Sequence, residues 1–525
     1  MTSATHPGRG ALPKVTTHTR ELFSDADTPV NIFRKLAQDE HGQPRPGTFL
    51  LESADQGIYT RYSFVGADVF GVLTEENGHA KWVPNPDPTR TLDEQLLLPG
   101  GVSHLTPVAA LSEIYDRWNF TPAPGLPPLA SGFVGYLGWE TVAEFEKFTL
   151  TGDAPESPRQ YLGFVSDLAV IDHHTGTTTL IVNTLDGETA AHARARLDHL
   201  QQRLAAPVAN PVGTLNHDTQ PKPQRFTSPE EFHDMVRVAK ERIVDGDVFQ
   251  VVLAQRFDER CDAAPLDVYR VLRHLNPSPY LYLLTCEAQD GEPLVIVGSS
   301  PEALVKVDQR HVLTHPIAGS RPRGTTVEED LRYEVELLAD PKERSEHLML
   351  VDLSRNDLSR VCEPGTVEVT EFMRIERFSH IMHISSTVEG KLHADANPVD
   401  ALRATFPAGT LSGAPKPWAL KMIAQLEPVR RGVYGGVVGY IGLGGHADLA
   451  IAIRTATIHN GVATVQAGAG IVYDSVDTSE EQEVVNKAAA PLRAIAIANT
   501  LTEAKTDPAH EADPSQPFTA PGGQQ

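Results

Sequence analysis

The chain has 525 residues, which at roughly 150 residues per domain suggests about three to four domain-sized units. Its 69 acidic and 45 basic residues leave a formal net charge of −24, which disfavours general binding to nucleic acid or anionic membranes. With 40% hydrophobic and 22% charged residues it reads as a soluble globular protein, and no stretch approaches the roughly 20 apolar residues that span a bilayer. Met1 to Arg20 is mixed polar and lacks the apolar core of a secretory leader. Three cysteines, Cys261, Cys286 and Cys362, stand far apart with no C-x-x-C pair. This argues against a disulfide framework or a cysteine zinc site and predicts a cytoplasmic protein.

Along the chain, residues 1–17 are predicted to be disordered, and 18–205 form an N-terminal region. There Thr28-Pro29 opens a short helix with Val30, Phe33 and Leu36 on one face, and Thr48 to Leu51 reads as a strand. Asn77-Gly78 and Thr175-Gly176 read as hairpin turns, and Ala190 to Leu204 as a helix. Residues 206–225, with Pro207, Pro211, Pro221 and Pro223, read as a linker. Residues 226–500 form the second region. Ser228-Pro229-Glu230-Glu231 supplies an N-cap, a first-turn proline and a capping-box glutamate. A strand follows at Val248 to Phe257, then a helix over 266–275 and strands near 280–286, 293–298, 303–307 and 311–315. Helices near 327–338 and 341–353, strands from about 434 to 473 and a helix from about 479 to 498 complete it, before a tail at 501–525 predicted to be disordered. The pattern is α+β with large mixed or antiparallel sheets.

Several clusters could carry chemistry. Glu343 and Glu346 share one helical face, as do Glu480 and Glu483. They are either solvated first turns favoured by the helix dipole or four carboxylates converging on a cation. Oxygen-only ligands favour Mg²⁺ or Ca²⁺. The run Gln466 to Gly470 fails the dinucleotide fingerprint, because Tyr473 stands at the third glycine. It is either a bulge or a set of amides able to bind a carboxylate. Pro316 to Gly324, with Arg321 and Arg323, is either a basic turn or a site for a dicarboxylic ligand. His383, in an apolar run, is either a core residue or an acid–base group. Arg454, alone among apolar neighbours, requires a buried anion or a ligand. Phosphate-loop, nucleophile-elbow and H-E-x-x-H signatures are absent.

Taken together, Pro316 to Gly324, Glu343 to Leu358, Pro407 to Lys416, Gln466 to Gly470 and Ser479 to Lys487 resemble the chorismate-utilising enzymes in order and spacing. Leu50 to Ser53 and Asn276 to Tyr280 narrow the resemblance to the large subunits of anthranilate synthases, over about residues 25–500. The resemblance implies a sandwich-like sheet core flanked by helices. It implies that ammonia adds to chorismate and the 4-hydroxyl leaves, giving aminodeoxyisochorismate. Loss of pyruvate then yields anthranilate, in the first committed step of tryptophan biosynthesis.

By motif position, Glu346 and Glu483 are the implied Mg²⁺ ligands, supported by Glu343 and Glu480. Gly319, Ser320, Thr410, Tyr434, Arg454 and the amides of Gly468, Ala469 and Gly470 are implied to hold chorismate. Ser320 replaces the usual threonine but keeps the hydroxyl. Glu302 matches the acid that protonates the departing hydroxyl, and His383 the histidine of pyruvate elimination. Water-adding relatives have a lysine base where this chain has Gln250, which cannot serve as one. Aminodeoxychorismate synthase typically has a lysine nucleophile where this chain has Ala318. Glu52, Ser53, Pro279, Tyr280 and Leu281 match the family's tryptophan feedback site. No cysteine sits in a Gly-x-Cys-x-Gly elbow, so ammonia is expected from a separate glutamine amidotransferase subunit in a two-fold assembly. The alternatives are aminodeoxychorismate synthase, with a 4-amino product, and a non-catalytic tryptophan-binding homologue.

Overall fold

The computed structural model describes residues 13–503 other than 40, 54–60, 119, 121, 209–212 and 378–380. Local chemistry starts the helices where it was expected to. Thr28 caps Pro29–Ala37, its hydroxyl accepting from the Asn31 N–H. Ser228 and Glu231 form a reciprocal capping box on Pro229–Val244. Asn77 and Gly78 both take positive φ, at 54° and 83°, as a two-residue hairpin turn requires.

The N-terminal region contributes β1 (Val15–Phe23), β2 (Phe49–Glu52), β3 (Tyr62–Glu76), β4 (His79–Pro84), β5 (Gly132–Leu137), β6 (Gln160–Asp172) and β7 (Thr177–Leu185). Short strands β8 (Gly213–Thr214) and β9 (Gln224–Arg225) follow. Next come β10 (Gln250–Arg260), β11 (Tyr280–Glu287), β12 (Pro293–Ser300), β13 (Ala303–Asp308), β14 (His311–Thr314) and β15 (Ile317–Pro322). Beyond two helices lie β16 (Glu368–Arg377) and β17 (Ile381–Lys391). The last strands are β18 (Gly413–Ala414), β19 (Val437–Gly442), β20 (His446–Ile451), β21 (Thr455–His459), β22 (Val462–Ile471) and β23 (Thr502–Glu503).

These strands form one large antiparallel sheet flanked by helices. An unbroken ladder runs β10–β22–β21–β12–β11–β2–β3–β6–β5–β19–β20–β13–β14–β17. N-terminal strands occupy its middle and C-terminal strands both wings. The ladder curls, so that residues of β2 and β11 share a hydrophobic cluster with residues of β19. Regions 18–205 and 226–500 are therefore interleaved in one body.

Three boundaries differ from the sequence reading. Val15 to Thr17, assigned to the disordered N-terminus, belong to β1, where Val15 pairs with Leu185. The expected linker is tied down on both sides, β9 pairing with β10 and β8 with β23, which itself lies in the expected tail. Residues 1–12 and 504–525 lie outside the described residues. The hairpin β16–β17 went unread because the charges of β16, Glu368, Glu371, Arg374, Glu376 and Arg377, are irregularly spaced and its register shifts twice, which blurs the two-residue period.

Interleaving predicts one cooperative unfolding transition. In urea, far-UV circular dichroism should superpose on the fluorescence of a Trp418→Phe variant, whose remaining tryptophans, Trp82, Trp118 and Trp139, lie in the N-terminal region. Two separated transitions would contradict the interleaved core.

Candidate active site

The helix Pro341–Ser359 begins on Asp340, whose side chain accepts from the N–H groups of Lys342 and Glu343. This cap orients the first turn and sends Glu343 and Glu346 into a cavity of about 560 Å³. One turn on, His347 is fully buried, its Nε2 2.6 Å from Ser386 Oγ on β17. The helix Asp477–Ala498 brings Glu480 and Glu483 to the same cavity.

Neighbouring carboxylates, together with burial, push the acids upward: Glu343 is raised by burial and by Glu346, and Glu480 by burial and by Glu483. Available counter-charges and donors are spread among them. Lys487 meets Glu483 at 2.6 Å, Arg321 meets Glu343 at 3.5 Å, and the Gln250 amide donates to Glu346 at 3.2 Å. Among the described residues no three His, Cys, Asp or Glu side chains come close enough to hold a metal ion. The donor set still fits Mg²⁺, which usually takes only one or two protein carboxylates and completes its shell with water and substrate oxygens.

The opposite wall comes from β15, β17 and the loop after β12. Gly319 takes φ +70°, and a side chain there would meet the Glu343 carboxylate at 2.9 Å, so only glycine fits without strain. Its carbonyl lies 2.9 Å from His383 Nδ1. A carbonyl only accepts, so Nδ1 carries the proton and Nε2 the lone pair. Burial lowers the His383 pKa, favouring the neutral ring. Glu302 accepts from Thr410 Oγ1 at 3.1 Å, and burial pushes its carboxyl up to about 7 despite that bond and Lys487.

The third wall is β22. It pairs with β10 without a register shift from Val251↔Ile471 to Arg260↔Val462, so the glycine-rich run is regular strand rather than a bulge. Gly470 leaves room for Gln250, whose amide nitrogen would lie 2.6 Å from an added Cβ. Arg454, at φ +53°, donates to the Lys487 carbonyl at 3.1 Å and forms no ion pair among the described residues. A guanidinium so enclosed suits a ligand carboxylate.

The structure brings Gln250, Glu302, Ala318, Gly319, Ser320, Glu343, Glu346, His383, Thr410, Tyr434, Arg454, Gly468, Gly470, Glu480 and Glu483 around this one cavity. The Ala469 side chain is fully buried in the hydrophobic core, so only its backbone is available to a ligand, which is the role the resemblance implies. The two arginines of the Pro316 to Gly324 run are not ligand groups, since Arg321 pairs with Asp340 at 2.8 Å and Arg323 with Asp330 at 2.8 Å. Lys487 was missed. It lines the cavity and donates to the Gly468 carbonyl, and its position four residues after Glu483 was the available signal.

A second cavity, of about 330 Å³, lies between β2, β11, β19 and β20. Glu52, Ser53, Pro279, Tyr280 and Leu281 all line it, with Lys306 and Asp448. The Glu52 carboxylate is already engaged, by the Tyr269 hydroxyl and by Arg273 at 3.2 Å. Among the described residues, Ser53 Oγ is buried with no hydrogen-bond partner.

Two carboxylate pairs, an arginine lining the cavity, an acid that burial raises to about 7 and a histidine that burial lowers make a site suited to acid–base chemistry on a small substrate that carries carboxylates. The chorismate binding enzyme family model matches residues 87–493, and this chain belongs to that family. It is 48% identical to anthranilate synthase component 1 of Arthrobacter globiformis, over 94% of each chain. It is 42% identical to that of Pseudomonas aeruginosa, over 92% of this chain and 96% of the relative. The crystal structure of anthranilate synthase component I from Streptococcus pneumoniae matches with TM-score 0.73 and 34% identity, over 90% of this chain and 98% of the other. MenF, the menaquinone-specific isochorismate synthase of Escherichia coli, shares the fold at TM-score 0.67 and 19% identity, over 93% and 96%.

An infrared titration of the ligand-free protein should show a carboxyl group titrating near pH 7 that disappears in Glu302→Gln. Thr410→Val, which removes a donor to the charged form, should move it higher. A wild-type titration with no carboxyl near neutrality would remove Glu302 as the acid.

Proposed function

We propose that this chain converts chorismate and ammonia to anthranilate and pyruvate, as the chorismate-binding component of an anthranilate synthase. The observation that carries it is the gathering of the two carboxylate pairs, Glu302, His383 and Arg454 around one cavity, in a chain 48% identical to a named anthranilate synthase component 1. Gln250 and Ala318 line the same cavity. Neither can act as a basic nucleophile or general base, so neither enables attack by water or by an enzyme amine.

Glu346 and Glu483 would hold Mg²⁺, which supplies charge neutralisation for a substrate carboxylate. Arg454 binds a second carboxylate bidentately. As the nitrogen–carbon bond forms, the 4-hydroxyl leaves as water with a proton from Glu302, whose pKa near 7 leaves much of it protonated at neutral pH. His383 Nε2 then accepts the proton of the ring carbon that bears the amine as the ring carbon–oxygen bond to the enolpyruvyl group breaks; the ring becomes aromatic, and the released enolpyruvate takes up a proton at its methylene carbon to become pyruvate.

The chain takes its ammonia from a separate glutamine amidotransferase. All three cysteines are buried, and burial pushes the Cys261 and Cys362 thiols to about 11 and Cys286 upward as well. A glutaminase nucleophile needs the opposite shift. The second cavity binds tryptophan as a feedback inhibitor, and the Ser53 hydroxyl, without a partner among the described residues, supports a polar ligand there.

Purified chain given chorismate, Mg²⁺ and excess ammonium should form fluorescent anthranilate. The product should vanish with EDTA and with Glu302→Gln, and glutamine should not replace ammonium. An amino product that keeps its enolpyruvyl group would contradict the assignment. Tryptophan should inhibit the wild type, and Ser53→Phe, which fills the second cavity, should weaken inhibition at least about tenfold, the loss of about 1.4 kcal/mol of binding. Unchanged inhibition would remove Ser53 from that site.

A further inference from the structure

Arg454 is held at both ends. Its backbone carbonyl accepts from the Ser299 N–H on β12 at 3.2 Å, and its Nη1 donates to the Lys487 carbonyl at 3.1 Å. The second bond needs a cause, because Lys487 lies inside the 22-residue helix Asp477–Ala498. There a carbonyl ordinarily accepts from the N–H four residues on. Four residues after Lys487 stands Pro491, inside the same helix. Proline has no N–H, and its ring presses on the carbonyl of the preceding turn. The Lys487 carbonyl is thus left for a donor outside the helix, and Arg454 supplies one.

Nothing local favours a proline at this position. Ala488, Ala489 and Ala490 precede it and Ala494, Ala496 and Ala498 follow, all of the best helix-forming type, whereas an interior proline is the worst. Pro491 is buried, so packing against the core is the competing explanation. Lys487 also sends its ammonium to Glu483 at 2.6 Å and to the Gly468 carbonyl at 3.1 Å. One helical residue therefore ties together the arginine, a carboxylate and β22 at the cavity. With Nη1 engaged by the carbonyl, the Arg454 Nε and Nη2 remain for a bidentate carboxylate. Glu483 attracts the same guanidinium, so an arginine released from the carbonyl would be drawn toward that carboxylate.

We propose that Pro491 is a positioning residue for the substrate: by withholding a helical N–H it frees the Lys487 carbonyl to anchor Arg454, which in turn meets a carboxylate of chorismate. The proposal rests on the carboxylate-binding role assigned to Arg454 above. A proline kept for this purpose weakens the helix and strengthens substrate binding. A residue with an N–H at this position should separate the two effects, because the fold gains while chorismate affinity falls.

Pro491→Ala restores the N–H, which competes with Arg454 for the Lys487 carbonyl. Its thermal transition should lie at or above that of the wild type, since alanine is the better helix residue. Chorismate KM, measured at saturating ammonium and Mg²⁺, should rise about tenfold, the size of one hydrogen bond to a charged group. Ammonium KM at saturating chorismate should stay within about twofold. A chain carrying lactic acid at position 491, the ester analogue of alanine, again lacks the N–H. It should return chorismate KM to within about twofold of the wild type. An unchanged chorismate KM in Pro491→Ala would overturn the proposal. A KM that stays high in the ester chain would overturn it as well, because the ring and its packing would then matter and not the missing N–H. A lowered thermal transition, or a rise shared by both KM values, would mean that Pro491 serves only the core, and would overturn it too. A wild-type chain that makes no anthranilate at any ammonium concentration would instead overturn the assigned reaction, and the role of Arg454 with it.

Discussion

Four carboxylates facing one cavity form the constraint on which the rest of this structure depends. Like charges about 4 Å apart repel by about 1 kcal/mol in water and about 4 kcal/mol at an effective dielectric of 20. Burial first, and the neighbouring Glu346 and Glu483 in addition, push the Glu343 and Glu480 carboxyls upward. Lys487, Arg321 and the Gln250 amide offset part of the repulsion, each from a different element. What they leave uncompensated suits a divalent cation and a substrate bound through it. The Asp340 cap and the His347–Ser386 contact hold one carboxylate helix in place against this repulsion.

The sheet explains how distant segments meet. The strands near the active site, β10, β22, β15 and β17, occupy the two wings of the ladder, and N-terminal strands join those wings. The same join builds the second cavity, between β2–β11 and β19–β20. The two cavities are mechanically close. Ser299 on β12 hydrogen-bonds Asn276, just before the pocket residues Pro279 and Tyr280, and its N–H donates to the Arg454 carbonyl at 3.2 Å.

How much of this was legible in the residues follows from the range of the forces involved. Capping at Thr28, Ser228 and Asp340-Pro341 acts within one turn, so those helix starts could be read directly. The spacing of Glu343 with Glu346, and of Glu480 with Glu483, showed two paired faces. Their convergence depends on the sheet and came only from family resemblance. The engagement of Glu52 by Tyr269 and Arg273 was invisible, because it depends on how the helix Pro265–Leu275 packs against β2.

The carboxylates that line the cavity are proposed to bind a divalent cation in the folded chain. Thermal unfolding with and without Mg²⁺ tests this without relying on turnover, because an ion that binds only the native state raises Tm. Wild type should unfold at a higher temperature in saturating Mg²⁺. The Glu346→Gln/Glu483→Gln variant, folded in metal-free buffer, should show no such rise. A wild type indifferent to Mg²⁺, or a variant that responds to it equally, would contradict the claim.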